Sequence, residues 1–268
     1  MQTRPRVMGI VNVTADSFSD GGRFLEARAA IAHGRRLAAE GADIVDVGGE
    51  STRPGAAPVA LDEELARVLP VVEALAREGI AVSVDTMKPE VMRAAIAAGA
   101  AMVNDVNGFR APGAIDAVAA SKAHACVMHM KGTPRTMQVE PSYEDVVGEV
   151  AAFLAERARA LEGAGVGQDR IVVDPGFGFG KTREHNVALM RGLPAIAALG
   201  YPVLVGLSRK RTIGDITGRP APERVAGSVA AAVVAVQNGA SIVRVHDVRE
   251  TVDALKVWFE FGGEKGGP

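Results

Sequence analysis

The segment Ile171-Val-Val-Asp174-Pro-Gly-Phe-Gly-Phe-Gly-Lys181-Thr182 joins a short apolar run to a glycine-rich stretch that starts with a carboxylate. Its end is similar to a phosphate-binding loop, G-x-x-x-x-G-K-[ST], but the first glycine of that motif would fall on Pro175. The glycines stand at 176, 178 and 180, so the dinucleotide fingerprint G-x-G-x-x-G is excluded as well. The segment therefore reads as a strand that ends in an acidic side chain, and its role depends on its place in the fold.

The same unit, a short apolar strand followed by a longer alanine-rich helix, recurs along the chain. Nearly continuous apolar runs are typical of parallel strands that are covered on both faces. The predicted strands are Val7–Val13, Asp43–Gly48, Ala81–Asp85, Ala101–Val106, His124–Met130, Ile171–Asp174, Pro202–Leu207 and Ser241–Val245. The predicted helices are Leu25–Glu40, Leu61–Glu78, Pro89–Ala98, Tyr143–Glu162, Glu184–Leu199 and Glu223–Asn238. Eight strands without a dinucleotide fingerprint favour an α/β (β/α)8 TIM barrel over an open doubly wound sheet.

Residues at the ends of these helices carry start and stop signals. Ser142 is predicted to be the N-cap of the helix Tyr143–Glu162, with acidic residues in its first turn. Glycines follow several helices and fit C-terminal caps, namely Gly41, Gly79, Gly99, Gly200 and Gly239.

Composition favours a single domain over residues 1–268 and a small-molecule partner. The 268 residues are 48% apolar and carry 30 basic against 32 acidic side chains, with no basic run or acidic tail that would indicate a nucleic-acid partner. Cys126 is the only cysteine, which excludes an internal disulfide and a multi-cysteine metal site. Because no apolar run reaches the ~20 residues that span a bilayer, we expect no membrane segment and a reducing, cytoplasmic setting.

Polar side chains collect where the predicted strands end. In a (β/α)8 barrel this is the face at which active sites are built, because the βα loops converge there. The opposite strand ends are mostly Gly, Ala and Pro. The polar set comprises Asn12, Glu50, Thr52, Arg53, Asp85, Asn104, Asp105, His129, Asp174, Ser208, Arg209, Lys210, Arg211, Arg244, His246 and Asp247.

This face combines two kinds of chemistry. Asp85, Asn104 and Asp174 emerge from apolar strands and suit a flat, nitrogen-rich heterocycle with N–H donors. A basic set suits a phosphate or diphosphate, and an oxygen ligand such as Asn12 together with a diphosphate is a usual way to hold Mg²⁺. The basic set is Arg53, Arg209, Lys210, Arg244 and His246.

Several of these residues also have a purely structural interpretation. Asp85 or Asp105 could simply cap the following helix, and single loop cations are usually solvated. His129, between two methionines, is interpreted as a core histidine rather than a catalytic one. Trp258 and Phe259, on the last helix, are expected to pack and not to bind ligand.

Several ordered motifs together carry a family resemblance. They are Met8-Gly-Ile-Val-Asn-Val-Thr-Ala-Asp-Ser-Phe-Ser-Asp-Gly-Gly22, Gly48-Gly-Glu-Ser-Thr-Arg-Pro-Gly55, Ser83-Val-Asp-Thr86, Asn104-Asp105, Met128-His-Met130, Asp174-Pro-Gly-Phe-Gly-Phe-Gly-Lys181, Ser208-Arg-Lys210 and Arg244-Val-His246. Over nearly the whole chain this pattern resembles the dihydropteroate synthase family. The resemblance implies a barrel that condenses 6-hydroxymethyl-7,8-dihydropterin diphosphate with 4-aminobenzoate in folate biosynthesis. It also implies Mg²⁺, a homodimer and inhibition by sulfonamides.

The resemblance assigns roles to residues motif by motif. It implies substrate contacts from Met128 and a metal ligand in Asn12. The implied pterin pocket is Asp85, Asn104, Asp174 and Lys210, and the implied diphosphate site is Asn12, Arg53, Arg244 and His246. The implied aminobenzoate side is Thr52, Phe179, Lys210 and Arg211. The residues expected to be catalytic are Asp85, Lys210, Arg244 and His246.

Two positions depart from the family pattern. Ala15 stands where the family often has proline, which bears on closure of the first loop. Arg211 stands where some members have serine, which bears on sulfonamide sensitivity. The resemblance further implies a dissociative substitution, and dimer contacts through the last helix near Val257, Trp258 and Phe261.

Three other functions remain open at this level. A corrinoid-type pterin methyltransferase would share the Asp, Asn, Asp pocket but would not need Ser208-Arg-Lys210 or the Arg244, His246 pair. A non-catalytic family member would be expected to lose some of these residues, and all are present. A phosphate-binding barrel isomerase has only the fold in its favour.

Overall fold

The computed structural model describes residues 4–13, 22–52, 55–133 and 136–262, with the side chains of 22–26 left aside. Eight strands alternate with helices along the chain. The strands are β1 (Arg6–Asn12), β2 (Ile44–Gly48), β3 (Val82–Asp85), β4 (Met102–Asp105), β5 (His124–Met128), β6 (Ile171–Asp174), β7 (Leu204–Val205) and β8 (Ile242–Val245). All neighbouring strands pair in parallel, in the order β6-β5-β4-β3-β2-β1-β8-β7.

The two edges of this sheet meet and close it into a barrel. Val173 of β6 forms a parallel bridge with Val203, and its N–H donates to the carbonyl of Pro202 over 2.9 Å. The predicted (β/α)8 TIM barrel is therefore confirmed. Strand β7 is shorter than predicted, because a turn follows it in which Lys210 N donates to Leu207 O over 3.1 Å.

The helices surround the barrel. They are α1 (Gly22–Ala39), α2 (Leu61–Arg77), α3 (Pro89–Ala97), α4 (Ala114–Ala119), α5 (Val146–Gly163), α6 (Arg183–Arg191), α7 (Leu193–Ala197), α8 (Arg211–Thr217), α9 (Val225–Gln237) and α10 (Val248–Glu260). The helix predicted over Glu184–Leu199 is two helices, because the chain breaks at Gly192 and Pro194 starts the second one. The glycines predicted as caps, Gly41, Gly79, Gly99, Gly200 and Gly239, all have positive φ.

The predicted N-cap of α5 was wrong. Helix α5 begins at Val146, and the carboxylate of Asp145 accepts a hydrogen bond from Val147 N over 3.1 Å. Ser142 lies before the helix, and its backbone carbonyl accepts a hydrogen bond from Lys131 Nζ. The acidic side chain therefore satisfies the helix start directly, as a residue at this position commonly does.

Two apolar layers hold the fold together. The larger layer fills the space between the strands and the helices. A smaller layer lies on the barrel floor and includes Cys126, whose thiol is buried. Burying such side chains typically contributes ~1.5–3 kcal/mol each. The floor layer consists of Met8, Ile44, Met102, Cys126, Val172, Leu204 and Ile242.

The last helix is partly uncovered. Val257, Phe259 and Phe261 are 54%, 45% and 87% exposed, so Phe259 does not pack as predicted, whereas Trp258 packs against the larger apolar layer. Among the helices that the structure describes, none is both long and apolar enough to cross a membrane.

Candidate active site

Two residues further along the strands from the apolar floor, the barrel interior becomes polar. Parallel register places Asp46 of β2 beside Ser83 of β3, and Asp85 beside Asn104 of β4. Asp174 of β6 lies beside Met128 of β5. Because side chains alternate between the two faces of a strand, Asp46, Asn104 and Asp174 point to the same side as the floor residues Ile44, Met102 and Val172, two positions earlier. The barrel therefore carries its acidic groups at the C-terminal ends of its strands.

Arg244 of β8 crosses the barrel to two of these carboxylates. Its Nε donates to Asp46 Oδ2 over 2.6 Å, and its Nη2 donates to Asp85 Oδ2 over 2.8 Å. Asn104 Nδ2 lies 3.3 Å from the same Asp46 oxygen. Asp46 is fully buried and was not among the predicted site residues. An aspartate inside the otherwise apolar run Ile44–Gly48 was the signal that could have identified it.

Burial shifts the titration of this group. Burial raises the pKa of Asp85 to about 7 against the opposing effect of Arg244, and the charge of Asp46 adds to the increase. Burial likewise raises the pKa of Asp174, although Lys210 and the N–H of Gly176 oppose it. Burial lowers the pKa of Arg244, but Asp46 and Asp85 outweigh it, so that pKa lies above its usual value. The guanidinium is therefore charged, and Asp85 is close to its titration point at neutral pH.

Several oxygens in this cluster lack a hydrogen-bond partner among the described residues. They lie on β2, β3 and β4, on the side that faces the mouth of the barrel. A buried acceptor without a donor is costly, so such a set indicates where a ligand with N–H groups would bind. The unpartnered acceptors are Asp46 Oδ1, Ser83 Oγ, Asp85 Oδ1 and Asn104 Oδ1.

The loop after β6 turns tightly beside this cluster. Asp174 Oδ1 accepts from Gly176 N over 2.7 Å, and Gly176 has a φ of 68°. A side chain at Gly176 would meet the carbonyl of His129, because a Cβ there would stand 1.9 Å from that oxygen. Glycine is therefore required for the close approach of this loop to the end of β5, as well as for its backbone conformation.

Lys210 connects this loop to the acidic cluster. Its Nζ donates to Phe177 O over 2.6 Å and lies 4.5 Å from the centre of the Phe179 ring. Burial lowers the pKa of Lys210 to about 8, and the charge of Asp174 opposes that effect. Asp85, Asn104, Asp174 and Lys210 thus lie near one another at one end of the barrel.

The predicted anion-binding set does not form one uniform cluster. Arg209 donates from Nε to Asp247 Oδ2 over 3.0 Å and forms an ion pair with that carboxylate. His246 Nδ1 lies 3.1 Å from Ser208 Oγ. Arg211, which was predicted for the aminobenzoate side, has a side chain that is 90% exposed, and its Nε lies 3.6 Å from Asp215 Oδ2. Arg244 belongs to the acidic cluster described above.

The remaining predicted residues lie around the mouth or outside the described part of the chain. Asn12 is exposed at the end of β1, and Thr52 is half-buried after β2. Met128 is buried in an apolar group with Val106, Met130 and Met137, against which Phe179 packs. Arg53 and Ala15 fall outside the described residues.

The described residues at the mouth of the barrel supply few metal ligands, so a bound anion would have to provide the others. Among the residues that the structure describes, no three His, Cys, Asp or Glu side chains are grouped to hold a metal ion. Asn12 supplies one neutral oxygen at the exposed end of β1. Such a donor fits a Mg²⁺ ion whose other ligands come from a diphosphate and water.

Comparison with known proteins places the chain in a family. Residues 8–246 match the family model described as pterin binding enzyme. The chain is 52% identical over 266 residues to the dihydropteroate synthase of Neisseria meningitidis serogroup B, with 97% of this chain and 93% of that protein covered.

Solved structures agree with this match. The Xanthomonas albilineans dihydropteroate synthase with 4-aminobenzoic acid has a TM-score of 0.91 and 57% identity, covering 99% of this chain and 94% of that one. The Yersinia pestis enzyme in a sulfonamide drug complex has a TM-score of 0.92 and 45% identity, covering 97% and 95%. Family model, sequence and structure coincide over nearly the full length, and the chain therefore belongs to the dihydropteroate synthase family of pterin-binding enzymes.

Proposed function

We propose that the chain condenses 6-hydroxymethyl-7,8-dihydropterin diphosphate with 4-aminobenzoate to give 7,8-dihydropteroate and diphosphate in folate biosynthesis. The single observation that carries the proposal is the set of buried acceptors without partners at the C-terminal end of the barrel, with Asp85 and Asn104 at its centre. Family membership supports the same reaction. The enzyme is accordingly a transferase.

The pterin ring would bind across β3, β4 and β6. Its ring N–H and amino groups would donate to Asp85, Asn104 and Asp174, which are buried and rich in acceptors. Lys210, at the edge of this pocket, would donate to the ring from the side of the β6 loop. A carboxylate that has lost water gains more from such donors than an exposed one does, so this pocket selects a ring with several N–H groups.

The diphosphate would lie toward β1 and β8. His246 and Arg53 would bind its oxygens, and Asn12 would be the protein's ligand to Mg²⁺. When bound, Mg²⁺ would supply positive charge against the leaving group. Arg244 would contribute from below, because its guanidinium already stands between the acidic cluster and β8.

The second substrate would lie over the β6 loop. Phe179 packs at the edge of the methionine group that contains Met128, and would form an apolar wall for the aromatic ring. Thr52 stands on the other side of the mouth, and Lys210 and Arg211 would provide positive charge for the carboxylate. A sulfonamide of similar shape and charge would compete for this place, as the complex of the Yersinia pestis relative suggests for that enzyme.

Bond changes in the reaction follow a dissociative order. The C–O bond of the pterin methylene breaks and its electron pair leaves with diphosphate. The resulting cation is delocalised over the ring, and the nearby Asp85 stabilises it electrostatically. The amine nitrogen then forms the C–N bond and releases one proton. The protein forms no covalent bond in this sequence.

Assembly and setting are part of the same proposal. A homodimer would cover Val257 and Phe261, which are exposed on the last helix. A chain organised as one domain over 1–268 and located in the cytoplasm agrees with the composition and the lone buried cysteine.

The test is product formation by the purified enzyme and by two variants. Wild type is given the dihydropterin diphosphate, 4-aminobenzoate and Mg²⁺, and both dihydropteroate and diphosphate are measured. Asp174→Asn should lower kcat/KM by about tenfold to a hundredfold, since a charged hydrogen-bond acceptor is lost. Asp169→Asn is the matched control, because Asp169 is exposed just before β6. Pterin binding without diphosphate release by wild type would overturn the proposal and favour the methyltransferase or non-catalytic alternative.

A further inference from the structure

Side chains bind an unbroken series of carbonyls in the β6 loop. From Gly176 to Gly180, each carbonyl oxygen accepts a hydrogen bond from a side-chain donor. The donors come from β5–α5, from the loop itself and from the segment before α8. They are Lys181 Nζ to Gly176 O (3.0 Å) and Phe179 O (3.1 Å), Lys210 Nζ to Phe177 O (2.6 Å), Gln138 Nε2 to Gly178 O (2.6 Å) and Tyr143 Oη to Gly180 O (2.8 Å).

Lys181 differs from the other donors because it lies inside the protein. Its side chain is 3% exposed, and its third hydrogen bond joins Nζ to His129 Nδ1 over 2.9 Å. Among the described residues, the three partners of Nζ are two carbonyls and a ring nitrogen, so none of them is an acid. Burying an amine here costs desolvation free energy, and an apolar side chain of equal length would avoid that cost. The hydrogen bonds of Lys181 Nζ therefore indicate a structural role for this buried amine.

His129 is held so that it can serve as the acceptor. It is buried, and its ring lies edge-on to Phe153 with centroids 5.0 Å apart. Burial, together with the charge of Lys181, lowers the pKa of His129 to about 3, so the imidazole is neutral. A neutral imidazole has one nitrogen free to accept, and the geometry gives that nitrogen to Lys181. The histidine interpreted as a core residue thus has a specific partner.

The hydrogen bonds of Lys181 Nζ to Gly176 O, Phe179 O and His129 Nδ1, called here the Lys181 tie, span the part of the loop that carries Phe179. By holding Gly176 O and Phe179 O at the same nitrogen, it closes the turn between them. Asp174 is fixed separately, since its carbonyl accepts from His129 N over 3.0 Å within the pairing of β5 and β6. Loss of the tie would therefore displace Phe179 while leaving the strand that carries Asp174 in place.

We propose that Lys181 is a positioning residue, which with His129 fixes the β6 loop so that Phe179 forms the wall of the aromatic amine site. The inference rests on the proposed function for the identity of that amine. Lys181 does not touch either substrate in this arrangement. It acts through the backbone of the loop, and its effect falls on the second substrate rather than on the pterin.

Three substitutions separate this role from a general effect on folding. Lys181→Met keeps the length of the side chain and removes the amine. His129→Leu removes the acceptor, whereas His129→Asn keeps an oxygen near the place of Nδ1. Lys181→Met and His129→Leu should raise KM for 4-aminobenzoate by about tenfold, because hydrogen bonds that hold the loop are lost, with little change in pterin affinity. His129→Asn should restore most of the wild-type KM.

A matched control and a second measurement make the test decisive. Lys122→Met removes an exposed lysine at the opposite end of the barrel and should leave both substrates unaffected. Hydrogen exchange followed by mass spectrometry should show faster exchange of the amides of residues 176–180 in Lys181→Met and His129→Leu. This measurement needs no substrate, so it also tests the tie if wild type proves to catalyse another reaction.

Two results would overturn the inference. Equal loss of affinity for both substrates would show that Lys181 supports the whole site and has no selective effect. Unchanged exchange in the loop would show that the other side-chain donors suffice to hold it. If Lys181→Met fails to fold, the comparison between His129→Leu and His129→Asn decides the matter on the same readouts.

Discussion

Arg244 Nε and Asp46 Oδ2 are 2.6 Å apart, and the carboxylate has no exposed surface. A guanidinium is planar, so fixing Nε fixes the direction in which its other nitrogens point. Asp46 therefore orients Arg244 toward Asp85, and it does so from β2, which is separated from β8 by β1.

We expect Asp46→Asn to weaken the pterin site although Asp46 lies beneath it. The substitution keeps the shape but removes the charge that holds Arg244, and kcat/KM for the pterin diphosphate should fall by about tenfold or more. Steady-state kinetics with the pterin diphosphate varied would measure this. Asp43→Asn is the control, because Asp43 binds Val7 N and Arg4 at the other end of the same strand. An unaltered kcat/KM in Asp46→Asn would contradict the orienting role.

The pKa of Asp85 predicts a pH dependence of stability. Its folded-state value of about 7 lies above its ordinary value of 3.8, so between these the folded state binds more protons than the unfolded state. Stability should therefore fall as pH rises through this window. In Asp85→Asn this contribution is absent, and the fall in stability over this pH window should be smaller. Urea unfolding at several pH values would measure it, and parallel curves for the two proteins would refute the assignment.

Gly176→Ala should destabilise the protein by more than backbone conformation alone explains. Its φ is 68°, and its Cβ would stand 1.9 Å from His129 O, a contact that requires the β6 loop to move. Gly79→Ala is the matched control, because its φ of 77° is similar and nothing lies within 4 Å of its Cβ. The control should cost about 1–2 kcal/mol and Gly176→Ala clearly more. Equal costs in urea unfolding would show that the loop accommodates the methyl group.

The start of α5 offers a direct comparison of two capping residues. Asp145→Ala should lower the free energy of unfolding by about 1 kcal/mol, because Val147 N loses its acceptor. Ser142→Ala should leave it nearly unchanged, because the side chain of Ser142 is not the cap. Thermal unfolding of both variants would measure the difference. A larger loss in Ser142→Ala would restore the original prediction from the sequence.

The repeating pattern was enough to predict the barrel and the end at which its polar groups lie. Short apolar strands that each end in a polar side chain leave few other arrangements, and Asp85, Asn104 and Asp174 were found in this way. Arg244 was sorted with the anion-binding residues because its partners, Asp46 and Asp85, are distant in sequence and close only once the barrel closes.

Local signals were less informative where tertiary contacts decide. Acidic side chains and Ser142 both precede α5, and only the backbone geometry selects Asp145 as the cap. From the sequence, Lys181 could be the lysine of a nucleotide-binding loop or a solvated surface lysine, because no sequence pattern indicates that an amine is buried. Its place became evident from the bend of the glycine-rich loop and from the neighbouring His129.

Seven apolar side chains close the barrel floor, and this gives the polar chamber above them a direction. Ligands can enter and leave a chamber with a closed base only through its open end. The unpartnered acceptors Asp85 Oδ1 and Asn104 Oδ1 lie above this base, whereas Phe179 packs against the apolar group that contains Met128 and Met130. A ligand that reaches these acceptors must therefore enter from the end of the barrel at which the strands end, because the apolar floor closes the other end.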